Sequence, residues 1–79
     1  MFIIIMLCND DGNFYTDFVN KGFNDIEKAK KEMFKCVNNE YKSLQEIGNY
    51  EIVNLGEEVF IYNEYHELIT SYRIIKIDK

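Results

Sequence analysis

The chain opens on an unbroken apolar run, Phe2 to Cys8. Ile3, Ile4 and Ile5 are β-branched and stiff, which favours a strand. Apolar side chains at every position predict a central strand, covered or partly covered on both faces. Asn9-Asp10-Asp11-Gly12-Asn13 is a concentrated turn signal, with Asp11-Gly12 able to supply the positive-φ residues of a hairpin. A second strand is expected over 14–19, with Phe14, Thr16 and Phe18 on one face and Tyr15, Asp17 and Val19 on the other. Gly22 is expected to break it. The rhythm then changes to steps of three and four: Ile26, Ala29, Met33, Cys36, Val37, Tyr41 and Leu44 fall on one helical face. Lys28, Lys31, Lys35 and Lys42 take the opposite side, and Phe34 falls beside the stripe. Asn24 followed by Glu27 has the spacing of a capping box. The helix is expected over 25–44.

After Gly48-Asn49 the pattern returns to short extended segments. Strands are expected over 50–55, 58–63 and 68–77, with a turn at Gly56 and a polar loop at Asn63-Glu64-Tyr65-His66. The order is β-β-α-β-β-β. A lone amphipathic helix must bury its stripe on one face of a sheet, so the expected class is α+β, two layers, one helix on a mostly antiparallel sheet. Residues 1–79 carry no repeat, low-complexity tract or linker and form one domain. Periodicity leaves the strand order open.

Composition narrows the function classes. The net charge is −5, the pI is near 4.7 and proline is absent. Affinity for DNA or RNA rests on many Lys and Arg contacts to phosphate, so direct nucleic-acid binding is disfavoured. The apolar start has no basic segment before it and no small-residue cleavage site, and it is far shorter than the roughly 20 residues of a membrane span. A cytoplasmic protein is expected, with no membrane partner. Cys8 and Cys36 each lie in an apolar stretch and are expected as free thiols. The richness in Asn, Ile, Lys and Tyr, whose codons are AT-rich, suggests a low-GC bacterial genome or a phage within one.

Candidate chemistry is sparse. Placing Gly12 at the sixth position of a calcium loop puts Leu7 and Phe18 at the anchoring positions, where carboxylates are needed. His66 is the single histidine, and the cysteines have no zinc-ligand spacing. Ser43, Ser71, Thr16 and Thr70 have no positioned base, the four glycines never cluster to cradle a phosphate, and Glu57-Glu58 is an ordinary solvated pair. No enzyme, metal or cofactor is expected.

Charge distribution is more informative. Ser43 through Tyr72 holds no Lys or Arg, but holds Glu46, Glu51, Glu57, Glu58, Glu64 and Glu67 with Tyr50, Tyr62, Tyr65 and Tyr72 among them. Tyrosine offers rigid amphipathic contact area and is enriched at interfaces. Glu51, Glu57, Glu58, Tyr62, Glu64, Tyr65 and Glu67 are therefore the expected partner-binding residues. The expected partner is a basic, nucleic-acid-binding protein, whose Lys and Arg these carboxylates would occupy. That profile is similar to small phage-encoded inhibitors, anti-CRISPR proteins among them, with no motif carrying the likeness. The alternative is a homodimeric regulatory or ligand-binding domain.

Overall fold

A computed structural model describes residues 1–10 and 12–77, except the side chains at 10 and 18–21. Among these residues one helix lies on one face of a five-stranded, wholly antiparallel sheet. The strands are β1 (Phe2–Asp10), β2 (Asn13–Phe23), β3 (Tyr50–Asn54), β4 (Glu58–Asn63) and β5 (Leu68–Lys76), and the helix α1 spans Ile26–Gln45. Across the sheet the order is β2-β1-β5-β4-β3. The expected class and element order hold.

Residue alternation sets the two faces. Ile4 opposes Ile74, Met6 opposes Tyr72 and Cys8 opposes Thr70 across β1 and β5. Val59 and Ile61 of β4 face Tyr72 and Thr70, and Ile52 of β3 faces Ile61. Ile4, Val59, Ile61, Tyr72 and Ile74 meet Ala29, Met33 and Val37 of α1 in one cluster, and Phe2, Met6, Phe23, Ile26, Phe34, Cys36, Leu44, Tyr50 and Ile52 pack round it. The helix stripe lies where its spacing puts it, and Lys28, Lys31, Lys35 and Lys42 are exposed.

Three local expectations change, and a fourth falls partly outside the described residues. The helix cap is Asp25, not Asn24: its carboxylate accepts from the Glu27 N–H at 2.9 Å. Both neighbours are good capping residues, and Ile26 is the first to take helical geometry. Gly22 lies inside β2 instead of ending it. The Met1 side chain sits where a Cβ at that position would be, so glycine admits the close approach. Asp11 lies outside the described residues, so the expected Asp11-Gly12 turn is seen only at Gly12, with φ 87. There Asn9 Oδ1 accepts from the Gly12 N–H at 2.9 Å, and Asn9 Nδ2 donates to the Leu68 carbonyl at 3.0 Å. Finally, β1 is central, but the helix covers only one of its faces. Ile3, Ile5 and Leu7 point to the other and are half-buried.

Candidate functional site

The seven expected site residues fall into three places. Glu64, Tyr65 and Glu67 share the β4–β5 turn, which Asn63 builds. Asn63 Oδ1 accepts from the N–H groups of Tyr65 and Glu67, both at 2.9 Å, and the Asn63 carbonyl accepts from the His66 N–H at 3.1 Å. His66 closes the turn with φ 63, a left-handed conformation that histidine tolerates better than most residues. The Asn63 side chain also donates to Glu67 Oε1 at 3.4 Å. This frame turns Tyr65 outward, 74% exposed.

Glu51, Glu58 and Tyr62 lie on the sheet face away from the helix. Glu51 opposes Tyr62 in the β3–β4 register. Phe60 is on the same face, its ring 6.3 Å from that of Tyr62. Glu58 faces Arg73, and Arg73 Nη2 donates to Glu58 Oε2 at 2.8 Å. Glu58 is thus an ion-paired strand residue, a correction to its reading as half of a solvated pair. Glu57 stands in the β3–β4 turn at the far end of β4 from Glu64. Six strand residues separate the turns, about 20 Å at roughly 3.3 Å each. The seven residues therefore do not form one patch.

Ile47, which charge and tyrosine patterning does not single out, joins the turn end. Ile47 is 76% exposed and lines a shallow groove of about 130 Å³ with Tyr50, Asn63, Glu64 and Tyr65. Glu46 precedes it and is exposed. The Tyr41 hydroxyl donates to the Tyr50 carbonyl at 3.2 Å, fixing the helix end to the edge strand beneath. Two large exposed side chains with carboxylates around them form a compact acidic and apolar patch.

The chain matches no protein-family model, no curated protein and no solved structure. Among the described residues no three His, Cys, Asp or Glu side chains gather as metal ligands, and no helix is long and apolar enough to cross a membrane.

A second titratable group lies between α1 and the sheet. Glu40 is half-buried, and its Oε2 is buried with no hydrogen-bond partner. Burial raises the carboxyl pKa, and the hydroxyls of Thr70 and Tyr72 act in the opposite direction. Tyr72 in turn is held far above the usual phenol range, by burial first and then by Glu40 and the two thiols. Both cysteines are free. Burial raises the Cys8 thiol; a hydrogen bond with Tyr15 opposes this, while Glu40 and Asp17 add to it. Burial also raises Cys36, with Glu32 and Glu40 adding and Lys35 opposing.

Raised thiols carry less thiolate at neutral pH and react slowly. We expect a thiol reagent to label Cys8 and Cys36 slowly in native protein and fully in urea, read by intact mass. An unlabelled mass two hydrogens below the reduced value would contradict the free thiols.

Proposed function

We propose that this chain is a non-enzymatic interaction protein that binds a basic protein, with the β4–β5 turn end as its anchoring patch. The observation that carries this reading is the pairing of Tyr65 and Ile47, each about three-quarters exposed, on one groove that Glu64 also lines, with Glu46 next to Ile47 in the chain and Glu67 in the same turn as Tyr65. Exposed ion pairs alone contribute only about 0–1 kcal/mol each. The division of labour is therefore apolar anchoring by Tyr65 and Ile47, and steering and partner choice by the glutamates. A partner whose Lys and Arg otherwise hold nucleic-acid phosphate meets the charge requirement, and occupying those side chains would inhibit it.

The test is capture from a low-GC bacterial lysate at low and high salt, followed by kinetics on the purified partner. Glu64→Lys with Glu67→Lys should slow association and flatten its salt dependence. Tyr65→Ala should mainly speed dissociation, weakening binding about 30-fold if the side chain is worth about 2 kcal/mol. Circular dichroism checks that each variant folds. Binding that survives these changes but is lost on altering Lys28, Lys31 or Lys35 would assign the exposed helix face instead.

A further inference from the structure

Among the described residues, nothing covers the sheet face away from the helix. Ile3, Ile5 and Leu7 of β1, Ile75 of β5 and Phe60 of β4 are half-buried there. They shield one another but have no second layer. Between them lies a broad hollow of about 460 Å³. Phe14, opposite Asn9 in the β1–β2 register, continues the apolar surface beyond it and is 56% exposed.

Charge selects the occupant. The chain is at −5, yet the charged side chains described on this face are Glu51, Glu58 and Arg73. Glu58 and Arg73 stand together as an ion pair. The middle of the face is close to neutral, while the acidic excess lies on the turns and rims. A strongly basic surface would find no surplus carboxylate at this centre. A second copy finds what it needs, since apolar residues meet their own kind and the Glu58–Arg73 pair of each copy offers one cation and one anion near the centre, with Glu51 out on the edge strand. A two-fold axis makes such a surface self-complementary.

Area agrees. Five strands about 4.8 Å apart, over roughly seven residues at about 3.3 Å each, give a face near 24 by 23 Å. Two such faces bury on the order of 1,100 Å² as flat areas, and more once side chains interlock, which reaches the lower end of specific interfaces at roughly 1,200 Å². Stacked sheets lie about 10 Å apart with strands within about 30° of each other.

We infer that two copies of this chain pack open face to open face, forming a β-sandwich with the two helices outside. The β4–β5 turns stay at the rim, so this inference stands apart from the partner-binding reading.

Sedimentation equilibrium of the full chain tests it. The expected mass is twice 9.5 kDa. Two anionic chains repel, so added salt should tighten the dimer, whereas it weakens capture of a basic partner. Phe60→Glu places a charge at the centre of the face and should raise the dimer dissociation constant about a hundredfold or more. Leu7→Gln gives a milder second test should Phe60→Glu fail to fold. Tyr65→Ala, at the rim, should leave the dimer intact. A monomer at about 100 μM at every salt concentration overturns the inference. So does a dimer that folded Phe60→Glu and Leu7→Gln leave unchanged, because it would then use another surface. A monomer that loses its partner on Phe60→Glu overturns it too and assigns the face to that partner.

Discussion

Met33→Asp should leave no folded protein. Met33 is fully buried at the middle of α1 and belongs to a core of eight buried apolar residues described in the chain. Losing its burial costs roughly 1.5–3 kcal/mol. The carboxylate must then either ionise among Ile4, Ile61 and Tyr72 or take up a proton to remain there, and each adds several kcal/mol. A domain of this size holds only about 3–5 kcal/mol in reserve. Val37→Asp, one helical turn on, should behave alike. Lys31→Asp, on the exposed side of the same helix, should still melt cooperatively. The measurement is far-UV circular dichroism with thermal melting. A cooperative Met33→Asp transition within a few degrees of wild type would mean that the helix does not pack on this face.

Glu40→Gln should raise the melting temperature at neutral pH and remove a pH dependence that wild type shows. The folded pKa of Glu40 lies above its ordinary value of 4.5. Folding therefore favours the protonated acid. The stabilisation is fully present below about pH 4.5, is lost as pH rises through the raised folded pKa, and is flat beyond it. Glutamine keeps the shape, does not titrate, keeps an acceptor oxygen for the Thr70 and Tyr72 hydroxyls and removes the charge that burial penalises. Each kcal/mol recovered shifts the midpoint by roughly 4–8 °C in a domain of this size. Other carboxylates titrate in both proteins, so the difference between the two melting curves across pH 4 to 8 isolates Glu40. Curves that run parallel would show that the side chain is well solvated after all.

The fold is legible in the sequence where one periodicity dominates. The helix stripe from Ile26 to Leu44 and the alternation of β4 and β5 are legible because each side chain's face follows from its spacing alone. Strand order is not legible, since Phe2 to Cys8 is apolar at every position and suits a strand covered on two sides as well as one covered on one. Glu40 escapes notice for a related reason. It counts as one more helix charge, although Cys36 one turn before it belongs to the apolar stripe. Ile47 sits three residues after Leu44 and would extend that stripe, but the helix ends at Gln45 and swings it outward. The seven expected binding residues are close in sequence yet divided by a strand about 20 Å long, a separation that charge patterning does not measure.

The sheet order carries a kinetic consequence. The last strand, β5, lies at the centre, between β1 and β4. Before it arrives, the chain can form the β1–β2 and β3–β4 hairpins, but nothing in the sheet joins them. Pairing Phe2 with Lys76 closes a loop of almost the whole chain, and such contacts are entropically expensive to make early. Folding should therefore be slow for so short a chain, in the millisecond-to-second range of non-local β topologies. During synthesis the helix stripe must wait beside two unconnected hairpins until the final strand locks them together.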